Sequence, residues 1–292
     1  MSERVEKWFD MAGRVVVLTG GTGRLGRHYA DVLSEVGANV VLFDVAQDAC
    51  DEVAAGLTDR HGTKPLGLAV DIRKKPDVVA AVERVVGEYG RLDVLINNAA
   101  AEQLTVIDGK VLDFEDFPLE LWQANLDVNL TGAFLCAQAA GKRMVAQGGG
   151  VVLNIGSIYG VVAADQRIYG ESGINSSVAY ATTKSGLINF TRYLASYWQG
   201  KNIRVNCLSP GGVFNDQAGE FLENYTYRTM LKRMAAPDDL ASALLYLVSD
   251  ASGWVTGTNM IVDGGWVGMV ARGGRARRSR PATADGTQRG CA

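Results

Sequence analysis

The sequence predicts a single doubly wound α/β domain, in which a seven-stranded parallel sheet is flanked by helices on both faces. Seven short apolar runs, rich in β-branched residues, alternate with longer segments of helical periodicity. Runs of this composition are typical of parallel strands that are covered on both faces. The alternation continues to Val262 without a change in composition, so we expect one domain over residues 1–267.

The predicted strands and helices follow one another regularly along the chain. Strands are expected at residues 15–18, 39–43, 66–70, 92–96, 151–155, 203–208 and 259–262. Helical periodicity is found between them, as in residues 24–36, 77–89, 119–144, 178–198 and 237–249. Because ligands bind beyond the carboxyl ends of the strands in open α/β sheets, functional residues are expected directly after these runs.

The charge of the chain is distributed unevenly. The net charge is −3, but residues 268–292 contain six arginines and one aspartate, which leaves −8 on the preceding body. A negative body argues against nucleic acid as a partner, since phosphate binding needs a concentrated positive field. The segment 268–292 is rich in glycine and arginine and lacks periodicity, so we predict a disordered basic tail.

Several other function classes are disfavoured by the residue content. The four cysteines are scattered and the two histidines lie in helical segments, so neither a metal site nor a histidine-based triad is expected. We interpret the cysteines as small buried hydrophobes in a reducing compartment. We find no secretory signal and no apolar stretch of membrane-spanning length, so we expect a cytoplasmic protein without a membrane partner.

A glycine-rich loop follows the first strand, in the segment VVVLTGGTGRLG. Small residues such as Gly20 and Gly26 let the backbone approach a pyrophosphate, although any tight strand–helix turn uses glycines. Asp44, at the end of the second strand, favours NAD. Its carboxylate can accept hydrogen bonds from both ribose hydroxyls, and its charge repels the 2′-phosphate of NADP. Arg24 lies inside the loop and could favour a phosphate, but Asp44 is expected to lie closer to the 2′ position.

Tyr180 and Lys184, in the segment YATTK, lie four residues apart on a predicted helix and so share one face. An adjacent ammonium stabilises a phenolate and lowers the pKa of a tyrosine toward the working range of an acid–base catalyst. The spacing alone is weak evidence for a catalytic pair, because a single YxxxK arises by chance in roughly one case in three in a chain of this composition.

Two further residues point to the same chemistry. Ser157 follows the fifth predicted strand, where its hydroxyl can hold a substrate oxygen against Tyr180; alternatively, it is a turn residue. Asn129 falls in the middle of a predicted helix, where asparagine is locally unfavourable. Its amide can bind a water that connects Lys184 to solvent; alternatively, it is a buried amide bonded to backbone.

These segments together resemble the short-chain dehydrogenase/reductase family, in its single-domain branch. The resemblance runs from about Gly13 to Gly265 in the family's motif order: TGGTGRLG, VDI, NNAA, VNL, NIGSIYG, YATTK, RVNCLSPGGV and WVTGTNMIVDGG. It implies a Rossmann-type fold and an NAD-dependent oxidoreductase that transfers a hydride between nicotinamide and an alcohol or ketone carbon. It also implies roles for four residues: acid/base for Tyr180, substrate orientation for Ser157, a proton relay for Asn129, and binding of the nicotinamide ribose for Lys184.

By the same resemblance, the cofactor lies against the glycine loop and the carboxyl ends of the strands, at Gly20, Thr22, Gly23, Arg24, Leu25, Gly26, Asp44, Val45, Asp71, Ile72, Asn98, Ala99, Tyr180, Lys184, Pro210, Gly211, Val213 and Asn215. The chain departs from the family pattern in this region. Arg24 occupies the second glycine position and Gly23 lies one place early, as in epimerase-type loops. Ala100 replaces the glycine of NNAG, and Asn215 replaces the usual threonine.

Ser157 and Tyr180 are 23 residues apart, more than is usual in the family, which leaves an insertion, VVAADQRIYGESGINSS, beside the reacting carbon. This insertion and a second segment, residues 214–234, carry a mixture of donors and acceptors. We therefore predict a polyhydroxylated substrate, such as a sugar, a sugar acid or a cyclitol. Its contacts are predicted at Ser157, Tyr159, Arg167, Tyr180 and Arg228, with either arginine pairing a negative charge. Alternatively, the insertion is an ordinary polar surface loop.

Two alternatives keep the dinucleotide site but change the function. A nucleotide-sugar epimerase or dehydratase with tightly bound NAD suits the glycine loop, but the sheet pattern ends at Val262 and no second domain pattern follows. A non-catalytic NAD-binding sensor suits the same fold, but does not need the set formed by Asn129, Ser157, Tyr180 and Lys184. The resemblance also implies a homotetramer or homodimer, packed through residues 119–144 and 178–198.

Overall fold

The chain alternates between strands and helices, as its sequence predicts. A computed structural model describes residues 3–101, 106–107, 110–172 and 174–269, with side chains except at residues 106, 107 and 110. The strands are β1 (Val15–Thr19), β2 (Asn39–Asp44), β3 (Leu66–Ala69), β4 (Val94–Asn97), β5 (Val106–Ile107), β6 (Lys110–Val111), β7 (Gly150–Ile155), β8 (Ile203–Pro210) and β9 (Asn259–Val262). The helices are α1 (Glu3–Phe9), α2 (Arg24–Glu35), α3 (Gln47–His61), α4 (Lys75–Tyr89), α5 (Leu119–Leu126), α6 (Ala133–Gln147), α7 (Val178–Tyr197), α8 (Gly219–Arg228) and α9 (Pro237–Val248).

Seven strands pair in one parallel sheet, in the order β3-β2-β1-β4-β7-β8-β9. In its centre, Leu18 of β1 is paired with Leu42 of β2 on one side and with Ile96 of β4 on the other. This arrangement confirms the predicted seven-stranded parallel sheet. The chain runs outward from β1 to β3 and then returns to β4, so the strand order reverses between β1 and β4. Open α/β sheets bind ligands beside the carboxyl ends of the strands at such a reversal.

Alternate residues of each strand face opposite layers of helices. Val16 and Leu18 belong to a core shared with α2, α3 and α9. Val15 and Val17 belong to a second core, shared with α4, α6 and α7. Because successive strand residues point to opposite faces, a strand covered on both faces is apolar at every position. The continuous apolar runs of the sequence follow from this, and the helices on both faces confirm the doubly wound arrangement.

A third, smaller core lies outside the sheet. The insertion after Ser157 forms the short 3-10 turns Ile158–Gly160 and Gln166–Ser172. Ile168 packs there with Tyr225 of α8 and with Trp266, which follows β9. The rings of Tyr225 and Trp266 stack with their centres 4.4 Å apart. We call this unit the cap; it consists of residues 158–172, α8 and residues 266–267, which follow the carboxyl ends of β7, β8 and β9.

The structure differs from the predicted elements in a few places. The predicted helix over residues 119–144 is divided into α5 and α6 by a π-helical turn, Asp127–Gly132. Residues 214–234, predicted only as a substrate segment, contain the helix α8. Neither α1 nor the β5–β6 hairpin was predicted, because elements this short carry too few residues for a periodic pattern.

Within the described part of the chain, no helix is long and apolar enough to span a membrane, and no group of His, Cys, Asp and Glu side chains could hold a metal ion. Cys50, Cys136 and Cys207 are free and buried, in agreement with their interpretation as small hydrophobes. Cys291 lies outside the described residues. So does the predicted basic tail, apart from Gly268 and Met269.

Candidate active site

The glycine loop connects the end of β1 to the start of α2. Gly20 has a φ of +65°, and a Cβ at this position would lie 2.8 Å from the Cα of Ala99. A Cβ at Gly26 would collide with the carbonyl oxygen of Gly20. Neither position accepts a side chain, so glycine is required for the tight turn that leads into α2.

Asn98 and Ala99, predicted as cofactor contacts, hold this loop in place. The amide group of Asn98 donates to the carbonyls of Thr19 and Gly20, at 3.0 and 3.1 Å. The backbone N–H groups of Asn98 and Ala99 both donate to the Thr19 hydroxyl, each at 3.0 Å. The NNAA segment therefore fixes the conformation of the glycine loop. This role is not visible in the sequence, because it depends on a contact between the ends of two strands.

Asp44 ends β2 and lies half-buried beside the loop. Its Oδ2 accepts hydrogen bonds from the backbone N–H of Thr22 at 3.0 Å and from the Thr22 hydroxyl at 2.6 Å. Its Oδ1 accepts from the backbone N–H of Val45 at 2.8 Å. A carboxylate offers about four acceptor sites, so these three bonds leave about one free site, on Oδ1. The structure thus holds a negative charge in a fixed position beside the loop.

A groove of about 520 Å³ runs along the loop and the ends of β2, β3 and β4. The predicted cofactor residues of the first half of the chain all line it: Gly20, Thr22, Gly23, Arg24, Leu25, Gly26, Asp44, Val45, Asp71, Ile72, Asn98 and Ala99. Helix α2 begins at this groove with no acidic residue in its first turn and no side-chain cap at Gly23. Its first N–H groups are therefore available to an anion. Open backbone for a pyrophosphate and a carboxylate for a ribose together fit a dinucleotide.

Arg73 lines the same groove, although sequence reasoning did not single it out. It binds Asp71 through Nε at 2.8 Å and through Nη2 at 2.9 Å. This hydrogen-bonded guanidinium lowers the pKa of Asp71 to about 2. The carboxylate predicted to contact the cofactor is therefore shared with Arg73, whose position shortly after β3 was the available sequence signal.

Ser157, Tyr180 and Lys184 come together where the end of β7 meets the first turns of α7. Ser177 caps this helix by accepting a hydrogen bond from the backbone N–H of Tyr180 at 3.4 Å. The side chain of Ser157 lies beside the Tyr180 hydroxyl and acts on the pKa of this phenol. The ammonium of Lys184 lies 5.4 Å from the centre of the Tyr180 ring. The structure thus brings three of the four predicted catalytic residues into one cluster.

Burial acts on both titratable groups of this cluster. Burial raises the pKa of Tyr180 above its ordinary value, and the neighbouring Ser157 side chain offsets only part of this rise. Burial lowers the pKa of Lys184 to about 8 from an ordinary value of 10.5. The Nζ of Lys184 donates to the Ile155 carbonyl at 2.7 Å. Each group alone resists ionisation, and a phenolate and an ammonium at this separation stabilise each other.

The low pKa of Lys184 predicts a pH-dependent effect on stability. Between pH 8 and 10.5 the unfolded chain keeps the Lys184 proton that the folded chain has lost, so the stability of the protein rises with pH in this window. Below pH 8 the buried charge costs stability. We expect Lys184→Met to raise the free energy of unfolding at pH 7 by roughly 2 kcal/mol, after the lost Ile155 hydrogen bond is subtracted.

Urea unfolding at pH 7 and at pH 10 measures this difference, which should narrow at the higher pH. Lys201→Met, on the exposed turn after α7, is the matched control and should leave both values unchanged. Equal pH dependence in the wild type and in Lys184→Met would contradict the prediction.

Asn129 lies in the π-helical turn and is buried. Its Oδ1 accepts a hydrogen bond from the backbone N–H of Ala101 at 2.8 Å. Its Nδ2 donates to the Thr183 hydroxyl at 3.0 Å, and this hydroxyl donates to the carbonyl of Tyr180 at 2.9 Å. The bond to backbone that the sequence left as an alternative is thus present. The relay from Lys184 through Asn129 stays a prediction, since Lys184 itself bonds to β7.

A chain of buried polar side chains, also missed from the sequence, ties α7 to the sheet. Asn97 of β4 donates through Nδ2 to Oδ1 of Asn154 on β7 at 2.8 Å. Asn154 donates through Nδ2 to the Thr191 hydroxyl on α7 at 2.9 Å. The Thr191 hydroxyl donates to the Leu187 carbonyl at 2.8 Å. The sequence offers only a weak signal for this set of hydrogen bonds. It is one asparagine near the end of each of the two apolar runs that form β4 and β7.

The remaining predicted cofactor residues follow the end of β8. Pro210 ends the strand, and the backbone N–H of Gly211 donates to the Val262 carbonyl at 2.9 Å. Val213 forms an isolated bridge with Ala235, and Asn215 is exposed. This segment reaches the glycine loop through the Nη1 of Arg24, which donates to the Phe214 carbonyl at 2.6 Å.

The predicted substrate residues of the insertion make most of their contacts inside the cap. Arg167 binds Asp165 through Nε at 2.7 Å, and Arg228 binds the same carboxylate. The guanidinium of Arg228 also lies 5.0 Å from the centre of the Trp266 ring. The two arginines predicted to pair a substrate charge therefore already share one carboxylate. Burial, with Tyr169 as a neighbour, raises the pKa of the Tyr159 hydroxyl.

Comparisons with known proteins identify the family of the chain. A family model described as enoyl-(acyl carrier protein) reductase matches residues 23–267. The NAD-dependent glycerol dehydrogenase of Listeria innocua is 34% identical over 266 residues, which cover 89% of this chain and 96% of that protein. The D-threitol dehydrogenase of Mycolicibacterium smegmatis is 32% identical over 263 residues, covering 88% of this chain and 94% of that protein.

A solved structure shows the same architecture. The crystal structure of a gluconate 5-dehydrogenase from Burkholderia cenocepacia, in complex with NADP and tartrate, matches with a TM-score of 0.82 and 28% sequence identity. The match covers 91% of this chain and 100% of that one. The likeness therefore extends over most of the chain.

Proposed function

Because the chain belongs to the short-chain dehydrogenase/reductase family and is therefore an oxidoreductase, we propose that it transfers a hydride between NAD and a secondary alcohol or ketone of a polyhydroxylated substrate. The observation that supports this proposal most is the meeting of Ser157, Tyr180 and Lys184 at the carboxyl edge of the sheet. The groove that fits a dinucleotide lies along the same edge.

In the proposed mechanism, Tyr180 is the group that moves the proton. In the oxidative direction its phenolate oxygen takes the proton of the substrate hydroxyl, and the Ser157 hydroxyl holds the substrate oxygen. Lys184 keeps its proton while the phenolate exists, because each charge stabilises the other. A nicotinamide held in the groove would supply the hydride chemistry, as the acceptor in this direction and as the donor in the reverse. In reduction, protonated Tyr180 donates to the developing alkoxide.

The preference for NAD rests on Asp44 and on the direction in which Arg24 reaches. Asp44 keeps about one free acceptor site, on Oδ1, and its charge disfavours a 2′-phosphate. Arg24 binds the Phe214 carbonyl instead, in a segment that follows β8. Since β2 and β8 lie on opposite sides of β1, Arg24 does not balance the charge of Asp44.

The proposed substrate class is supported by the relatives and by the polar content of the cap. The relatives described above are named for glycerol, D-threitol and gluconate, which are all polyhydroxylated. The cap contributes the paired charges of Asp165, Arg167 and Arg228 and the hydroxyl of Tyr159. Two guanidiniums share one carboxylate, so one positive charge of this group remains for a sugar acid.

The proposal is tested with purified enzyme, NAD+ and a panel of alcohols, followed as NADH absorbance at 340 nm. The panel contains glycerol, threitol, gluconate, a cyclitol and a long-chain alkanol. We expect turnover with one or more of the polyols and none with the alkanol. Turnover confined to the alkanol would contradict the polar substrate class. The Tyr180→Phe protein provides the background rate.

The same assay separates the two alternatives from the proposal. An epimerase or dehydratase regenerates its NAD and gives no net NADH, and a sensor gives no product at all. Analysis of the sugar products by chromatography distinguishes those two outcomes. Net NADH formed with a stoichiometric ketone product supports the proposed dehydrogenase.

We also propose self-association through α6 and α7. Phe134, Tyr193 and Tyr197 leave 46%, 62% and 68% of their surface exposed, and the two tyrosine rings stack 6.1 Å apart. Exposed aromatic side chains grouped on neighbouring helices are typical of protein interfaces. Sedimentation velocity should show a dimer or tetramer, and Tyr193→Glu combined with Tyr197→Glu should shift it toward the monomer.

A further inference from the structure

Arg24 occupies an unusual position in the fold. It is the first residue of α2, where the partial positive charge of the helix dipole makes a cation unfavourable. No acidic residue lies in the first turn of α2 to offset the charge. In the described part of the chain, no carboxylate lies within ion-pair distance of Arg24, and its one hydrogen bond goes to the Phe214 carbonyl. The positive charge of Arg24 therefore lies beside the partial positive charge at the start of α2, and no carboxylate of the described residues neutralises it.

The acceptor of that hydrogen bond is itself held firmly. The backbone N–H of Phe214 donates to the Ala235 carbonyl at 2.8 Å, and Val213 forms a bridge with the same residue. Phe214 begins the segment that leads into α8, which packs in the cap. Arg24 is thus a direct link between the glycine loop and the segment that carries the cap.

The rest of the guanidinium remains available. Arginine has five N–H donors in a fixed plane, and the Phe214 carbonyl takes one of them at 2.6 Å. Arg24 lines the groove together with Gly20, Gly23 and Gly26, whose backbone is open to a pyrophosphate. A pyrophosphate in this groove would supply the negative charge that the surroundings of Arg24 lack.

We propose that Arg24 is a positioning residue that fastens residues 214–234 over the bound cofactor, with one N–H on the Phe214 carbonyl and its charge on the pyrophosphate. This inference rests on the proposed function, because it requires a dinucleotide in the groove. Without the pyrophosphate, a single hydrogen bond holds an unneutralised cation at the helix end. Cofactor binding removes that cost and strengthens the link, so it orders the segment that carries α8.

The test compares Arg24→Gln and Arg24→Lys with Arg60→Gln, an exposed arginine of α3 that pairs with Asp31. Isothermal titration gives the Kd of each protein for NAD+ and for adenosine, which has no pyrophosphate. Hydrogen exchange of peptides from residues 214–234 is measured with and without NAD+. Circular dichroism confirms that every variant is folded.

We expect Arg24→Gln to weaken NAD+ binding about tenfold and to leave adenosine binding unchanged, since a charge-assisted contact to the pyrophosphate is lost. NAD+ should slow exchange of residues 214–234 in the wild type and in Arg60→Gln, but not in Arg24→Gln. Arg24→Lys keeps the charge and should recover most of the affinity.

Other outcomes separate this inference from the proposed function. If the wild type does not bind NAD+, both the proposed function and the inference about Arg24 are wrong. If the wild type binds NAD+ and Arg24→Gln matches it in affinity, the inference alone is overturned. Weaker binding with undiminished protection of residues 214–234 also overturns it, because Arg24 would then serve the cofactor without fastening the segment.

Discussion

Tyr180→Phe is expected to lower kcat/KM for alcohol oxidation by about 1000-fold, because general acid–base catalysis by a positioned side chain contributes roughly 100- to 10,000-fold. The substitution keeps the ring that lies beside Lys184 and removes the hydroxyl beside Ser157. NAD+ should still bind, since Asp44 and the glycine loop are untouched. The wild-type rate should rise between pH 6 and 10 as Tyr180 loses its proton, whereas the residual rate of the variant should not.

Steady-state kinetics across this pH range and titration with NAD+ measure both parts. Tyr246→Phe, on α9, removes a phenol outside the cluster and serves as the control. A Tyr180→Phe enzyme with wild-type kcat/KM would remove Tyr180 from the mechanism. Loss of NAD+ affinity comparable to the loss of turnover would assign Tyr180 to cofactor binding instead.

Asp44→Ala is expected to lower the ratio of kcat/KM for NAD to that for NADP by about 100-fold, through weaker charge-assisted hydrogen bonds to the ribose and relief of phosphate repulsion. Asp44 also holds Thr22, so part of the loss with NAD will come from a looser loop. Asp44→Asn, which keeps an acceptor for Thr22 without the charge, separates the two effects. It should shift the ratio with less loss of stability.

The measurement is kcat/KM with each cofactor at a fixed substrate concentration. Asp48→Asn, an exposed change of the same kind in the first turn of α3, is the control. An unchanged ratio in Asp44→Ala would show that the cofactor preference is set elsewhere in the groove, which the paired charges of Asp71 and Arg73 also line.

The sheet and the local motifs could be predicted because each is marked by residues that lie close together along the chain. A strand covered on both faces is apolar throughout, so the runs are visible without any tertiary information. The loop from Gly20 to Gly26 and the acid at Asp44 each follow one strand directly. Tyr180 and Lys184 share a helix face through their spacing. These features depend on neighbours along the chain.

Features that depend on distant residues were not predicted. The support that Asn98 gives to Thr19 joins two strands, and the cap joins segments around Ile168, Tyr225 and Trp266. No local pattern marks Trp266 as buried, because its partner lies 41 residues earlier in the chain. The shared carboxylate of Asp165 likewise depends on how α8 packs. Asn129 was recognised as unfavourable in a helix, but its π-helical turn was not.

The polar chain through Asn97, Asn154 and Thr191 has a consequence for how the enzyme tolerates change. Apolar side chains pack nearly as well after a small slide, whereas hydrogen-bond partners must meet at one axial offset. Helix α7 therefore cannot shift along β7 without leaving the buried amide of Asn154 without a hydrogen-bond partner. Shortening apolar neighbours such as Leu194 should lower the free energy of unfolding. Tyr180 and Lys184 should stay aligned, so stability is lost before the arrangement of these two side chains.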